Sequence, residues 1–367
     1  MGKIGMNRKI LIFLLVVFSF LAAFLSGYLL SGNSFQKEAE VSDYKTGNIL
    51  DKFDNEFVIS KENSFQQPSL LGKNRVASFT VSSNGSGISY HEKGTGKVFS
   101  VDPLTKEEKP ILAAGIVNFI GAIWSPNKKE VISQVSSPLG AQYKYYNFQT
   151  KESALLKNNT KSAVFSPDGR QIAKFIFSET ENVYNIVISE PAGVASKKIF
   201  STRIPDAEIY WPQDDLLAFK VTDNRGYAKV FSLTKEGALK EIAGDAKNLE
   251  IKWSQDGQSF LFSATGEIGR PELFYKSIGG KEPLLLSVST SASKCAWSID
   301  NKTVICAASL TAEENEELYK ISIADGVKQL ITPLSQNMRV REILLTNIGD
   351  YAIFLNSYDE KLYFLKI

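Results

Sequence analysis

One turn motif, written about seven times along the chain, restricts the fold more than any other feature of the sequence. Its fullest form is A-V-F-S-P-D-G-R-Q-I-A-K-F, Ala163 to Phe175. An apolar run ends on an aromatic residue, breaks at Ser-Pro-Asp-Gly, and resumes as a second apolar run. The residues just before each break are Val81, Trp124, Phe165, Trp211, Trp253, Trp297 and Leu345, spaced by 43, 41, 46, 42, 44 and 48 residues. Three positions further on stand Asn84, Asn127, Asp168, Asp214, Asp256 and Asp300, with Ile348 as the departure. The next position holds Gly85, Lys128, Gly169, Asp215, Gly257, Asn301 or Gly349. Asn or Asp followed by Gly tolerates the left-handed backbone that tight turns demand, so each motif predicts a hairpin, with Lys128 as the misfit.

Each hairpin is followed by a third apolar segment, such as YNIVIS at 184–189 or ELYKISI at 317–323. A shorter fourth one comes next, such as KKIF at 197–200 or PLLLSV at 283–288. Four strands in every period of roughly 40–45 residues is the pattern of a β-propeller. The sequence therefore predicts an all-β fold, a seven-bladed β-propeller of four-stranded antiparallel blades, over residues 55–367. The seventh repeat runs out after its third strand, KLYFLKI at 361–367. An unpaired sheet edge there would invite association with other chains. Strand-like sequence ahead of the first repeat, at 56–59 and 68–71, is expected to supply the missing outer strand and close the ring.

The repeat resembles that of TolB-type propellers, W/F-S-P-D-G-x-x-I-A-F, which recurs in the propeller parts of tricorn-like and dipeptidyl-peptidase-like proteins. It is carried here by W-S-P-N (124–127), F-S-P-D-G (165–169), W-P-Q-D-D (211–215), W-S-Q-D-G (253–257) and W-S-I-D-N (297–301). The resemblance covers most of the chain and implies a fold rather than an activity. The Gly-His…Trp-Asp pairing of WD repeats is missing, and so is the separate α/β domain of TolB. The resemblance also implies that Trp124, Phe165, Trp211, Trp253 and Trp297 pack between neighbouring blades.

The amino-terminal region is of another kind. Lys3, Arg8 and Lys9 precede residues 10–30, an uncharged run of 21 residues. As a helix this run is about 32 Å long, enough to cross a hydrocarbon core of about 30 Å. A transmembrane signal-anchor helix is expected at 10–30, so that the membrane is itself a partner. The basic flank keeps residues 1–9 cytoplasmic and sends everything after the helix outside, with 31–54 as a polar linker. A cleaved signal peptide is the competing reading, although its apolar core is usually only about 7–15 residues. Leu30-Ser31-Gly32 opens like a lipoprotein box, but Asn33 stands where a cysteine is required.

Chemistry is sparse. Forty-two Lys and Arg against forty Asp and Glu give a net charge of +2, which offers no field for nucleic acid. The one histidine, His91, is expected in an exposed loop at the end of a second strand. A hydrolytic triad needs a base and a nucleophile elbow, and no Gly-x-Ser-x-Gly occurs. Catalytic zinc needs several His, Cys or carboxylate ligands, and calcium loops need more alternating carboxylates than Asp214-Asp215 or Asp223-x-Arg225 provide. Gly94-Thr-Gly-Lys97 lacks the spacing of a phosphate loop. No catalytic residue, metal or cofactor is expected. Cys295 and Cys306 lie symmetrically about the Trp297 turn, either as a cross-strand disulfide or as two buried thiols.

These readings converge on a single-pass membrane protein that displays a propeller outside the cytoplasm and binds a protein partner on one of its faces. The alternative is a channel-site enzyme, or a sensor of small ligands or glycans, using acidic residues of the central channel.

Overall fold

Each of the first six sequence periods folds into one four-stranded antiparallel sheet, because its four apolar stretches are separated by turn residues that reverse the chain. The computed structural model describes residues 65–367 apart from Asn84, Ser86, Leu139, Asn158, Val194, Lys281 and 310–314. The expected cytoplasmic segment 1–9, transmembrane helix 10–30 and linker 31–54 lie outside the described residues, as does the turn position Asn84.

The seven sheets are the blades of a propeller. Blade 1 spans 76–112, blade 2 spans 119–155, blade 3 spans 160–202 and blade 4 spans 207–247. Blade 5 spans 250–286, blade 6 spans 295–333, and blade 7 takes three strands from 340–366. The first strand of each blade is innermost, and successive strands step outward. Blade 3 shows the resulting gradient. Its second strand, Ile172–Ser178, begins with five buried residues in a row, whereas its outer strand, Lys197–Thr202, has none. A strand buried on both faces reads as a nearly continuous apolar run, which I-A-K-F-I interrupts only at the buried Lys174.

The core is a circle of seams between blades rather than one central mass. Phe175 and Ile186 of blade 3, for example, share a buried cluster with Trp211 and Leu217 of blade 4. The seam between blades 6 and 7 joins Ile305 and Leu318 to Ile343 and Phe354.

The fourth strand of blade 7 comes from ahead of blade 1. Ser69–Leu70 lies antiparallel to Leu362–Lys366, with Ser69 opposite Phe364 and Leu70 opposite Tyr363. Leu71 N donates to Leu362 O at 2.9 Å, Val76 N donates to Glu360 O at 2.7 Å, and both Arg75 and Lys93 pair with the Glu360 carboxylate. The innermost strands of blades 7 and 1 touch, so the circuit is complete.

Because every blade runs outward in the same order, all first-to-second-strand hairpins fall on one face, the turn face. The blade-to-blade crossings and the second-to-third-strand loops fall on the other, the crossing face.

Candidate functional site

The repeated motif is built to satisfy itself. In blade 3, Ser166 Oγ donates to Asp168 Oδ1 at 2.6 Å, Arg170 N donates to the same oxygen at 3.0 Å, and Gln171 N donates to Ser166 Oγ at 2.9 Å. Gly169, at φ +74°, donates its N–H to Ser166 O at 2.9 Å. The same network joins Ser125 to Asn127, Ser254 to Asp256, and Ser298 to Asp300. The serine hydroxyl and the backbone amide hold the Asp168 and Asp300 carboxyls below the usual carboxylate range. Lys128, the misfit of the pattern, takes φ +61° in the same turn position. Blade 4 departs, with Asp214 and Asp215 forming a two-residue loop between the facing residues Gln213 and Leu216.

Turns also brace one another. Gln213 Nε2 donates to Gly257 O at 3.0 Å, Gln255 N donates to Asn301 Oδ1 at 3.1 Å, and Pro212 O leaves no room for a Cβ on Gly257. These polar groups are spent within the scaffold.

The aromatic residues lie in the seams. Phe165 clusters with Ile132, Tyr143 and Tyr145 of blade 2, and Trp211 with Phe175 and Ile188 of blade 3. Trp297 Nε1 donates to Lys252 O of blade 5 at 3.1 Å, and Trp253 lies 6.3 Å, centroid to centroid, from Tyr210 of blade 4. Trp124 Nε1 donates to Ser78 Oγ of blade 1 at 3.2 Å.

That last contact revises the reading of His91. The strand Ile88–Glu92 extends past it, and blade 2 covers it, so His91 is fully buried rather than in an exposed loop. Phe119 stacks on the ring at 4.7 Å and Trp124 leans on it at 4.9 Å. Nδ1 lies 3.3 Å from Ser78 Oγ, and Nε2 has no partner. Burial pushes the imidazole down to about pKa 3, so it stays neutral as a seam residue. Cys295 and Cys306 face each other in register, 4.1 Å apart at Cα, and are joined as a disulfide.

One cluster of polar side chains outside this scaffolding lies on the crossing face, over blades 5 to 7, and another lines a cleft on the turn face between blades 2 and 3. The cause of the first is local. The fourth strand of blade 5 stops at Leu286, and the passage to blade 6 takes residues 287–294, the longest of the described crossings. It ends in a single 3₁₀ turn, Ala292–Lys294, which touches the innermost strands of blades 5 and 7. This detour walls a cleft of about 490 Å³. Lys294 pairs there with the buried Glu316, whose other oxygen accepts from Val340 N at 2.7 Å. Arg339 Nε lies 3.9 Å from Glu316, and Arg341 Nη2 reaches Ala77 O of blade 1 at 3.4 Å. Glu250 accepts from Ser293 N at 3.3 Å. The pattern can hold an anionic or polar group against cationic tips. Both oxygens of Glu316 already accept from the protein, one from Lys294 and the other from Val340 N. Among the described residues no set of His, Cys, Asp and Glu is grouped to hold a metal. None of these cleft residues lies in the turn motif, which therefore gave no signal for them.

No family model and no curated protein matches the chain. Among solved structures, the β-propeller domain of Myceliophteria thermophila Cps50 (Swd1) aligns with a TM-score of 0.56 at 12% identity, covering 82% of this chain and 99% of that one. Oligogalacturonate lyase of Vibrio parahaemolyticus aligns at 0.57 and 10%, covering 81% and 91%. The WD40 repeats of RRP9 align at 0.58 and 10%, covering 82% and 99%. At such identities the likeness is one of fold. The chain is a seven-bladed β-propeller.

Proposed function

We propose that the chain is a membrane-anchored propeller of TolB-like repeat type, held outside the cytoplasm as a protein-binding platform. The uncharged run at 10–30 and the basic residues before it support the anchor and its orientation. The Cys295–Cys306 disulfide suits a compartment outside the reducing cytosol.

The observation that carries the platform reading is the pair of exposed arginines beside the crossing-face cleft. Turn-face serines and aspartates are consumed by their own hairpins, while the crossing face offers Arg339 and Arg341 exposed beside a cleft. No catalytic role is proposed, because His91 is buried in a seam and Glu316 is already bonded. The cleft volume of 490 Å³ also suits a small anion, and this keeps a ligand sensor as the second reading.

Two measurements on the full-length chain test the proposal. A reporter enzyme that works only outside the cytoplasm, fused after residue 54, should be active. A photo-crosslinking residue at Arg341 should capture one defined protein. An inactive reporter removes the anchor and its orientation. Failure to capture from either face, with tight binding of a small anion instead, replaces the platform by the sensor.

A further inference from the structure

The outer wall of the ring carries a second depression where blade 5 is cut short. Its outermost strand is the three-residue Leu284–Leu286, and beside it an apolar cavity of about 340 Å³ opens along the seam with blade 6. Leu286, Val288 and Tyr319 are buried around it, while Ile268, 80% exposed, and Leu285, 52% exposed, stand at its rim. This cavity adjoins the charged cleft, since Arg270, Pro271, Ser289 and Ser309 line both. One groove thus leads from an apolar wall to a cationic mouth on the crossing face.

Its charge is uneven. Arg270, Lys294, Lys328, Arg339 and Arg341 line it against the carboxylates Glu250, Glu272 and Glu316. Among the described residues the lining holds five cationic side chains and three carboxylates. Glu316 is occupied by Lys294 and the backbone, whereas the exposed side chains of Arg339 and Arg341 reach the protein only at 3.9 Å and 3.4 Å. A ligand that fits must therefore bring negative charge to one end and an apolar group to the other. Sugar rings would need an open aromatic platform, but the Tyr319 ring carries Lys328 Nζ at 5.1 Å from its centroid.

We infer that this groove docks an extended peptide segment of the partner protein, with acidic side chains at the Arg339–Arg341 mouth and a bulky apolar side chain in the blade 5–6 seam. This rests on the platform reading and adds the place and the chemistry of contact. Backbone groups of such a segment would meet Ser289, Ser309 and the crossing at 287–294. Cationic tips at the mouth speed encounter and confer salt dependence, while the buried apolar side chain slows release.

The test uses the full-length chain in detergent and a random decapeptide phage library. Selected peptides should pair Asp or Glu with Leu, Ile or Phe, and a synthesised winner should be released by salt. Leu285→Asp and Arg341→Glu should each weaken it by about tenfold. Both residues are exposed, and unchanged melting curves check that the variants fold. Selection of basic or neutral peptides, affinity untouched by both changes, or preferential binding of anionic vesicles or acidic oligosaccharides overturns the groove. A photo-crosslinker at Leu104, on the turn face, separates the two readings. Capture of a partner there, unaffected by the groove variants, sinks the groove and leaves the platform standing.

Discussion

On the turn face, Ser166, Asp168 and Gly169 bind one another, and the same triad recurs with small changes in blades 2, 5 and 6. On the crossing face, Lys294 and Arg339 come from two crossings, Glu316 from blade 6 and Arg341 from blade 7, and they recur nowhere in the turn motif. Repetition marks what the ring needs in order to stand, and the unrepeated residues mark where it can differ from other rings. If this division holds, changes on the turn face should cost stability and spare binding, and changes in the groove should do the reverse.

The largest expected effect breaks the ring on which both faces depend. Deleting residues 65–72 removes the strand paired to Leu362–Lys366, and the cooperative thermal transition of the propeller should be lost. A sharp melt after the deletion would show that blade 7 stands with three strands.

Next comes the disulfide. Replacing Cys295 and Cys306 by alanine should lower unfolding free energy by about 2–3 kcal/mol in denaturant titrations, given the short loop it closes. Turn chemistry follows, with Asp168→Ala expected to cost about 1–2 kcal/mol and to leave peptide affinity unchanged. A loss of binding in Asp168→Ala would mean that the faces are not separable.

Acid probes the blade 1–2 seam. His91 is held near pKa 3 in the folded chain and returns to the ordinary 6.5 when unfolded. The unfolded chain therefore takes up a proton that the folded chain refuses, and the stability present above pH 6.5 is lost as pH falls toward 3. The loss should be about 1.4 kcal/mol per pH unit in that window, and a His91→Phe variant should lose less over the same range. Equal slopes in the two proteins would remove His91 from the account. The smallest stability effect belongs to Arg341→Glu, within about 0.5 kcal/mol of the parent.

What the sequence disclosed follows the same line. Asn127, Asp168, Gly169, Asp256, Gly257 and Asp300 were readable because each makes its bonds within a few residues of itself. Lys128 broke the pattern by type but not by backbone, since the turn geometry and the Asn127 side chain are set around it. The spacing of Cys295 and Cys306 placed them opposite each other and left open whether the sulfurs joined. His91 was misread because its burial is decided by Phe119 and Trp124 of the next blade, while Glu92 and Lys93 follow it in sequence. The groove could not be read at all. Arg270 belongs to blade 5, Lys294 to the crossing and Arg341 to blade 7, and the detour at 287–294 lines the rim they share.

Blade 7 holds sequence from both extremes of the propeller, Ser69–Leu70 and Leu362–Lys366. A chain delivered in order by a ribosome or a translocation pore offers the first of these long before the second. During its own manufacture the molecule is therefore an unsealed arc, with a naked flank at blade 1 and a short strand waiting for its mate. The sealing step joins distant positions and is slow for that reason. Until that seal forms, the open edge of blade 7 is a template on which another chain can pair.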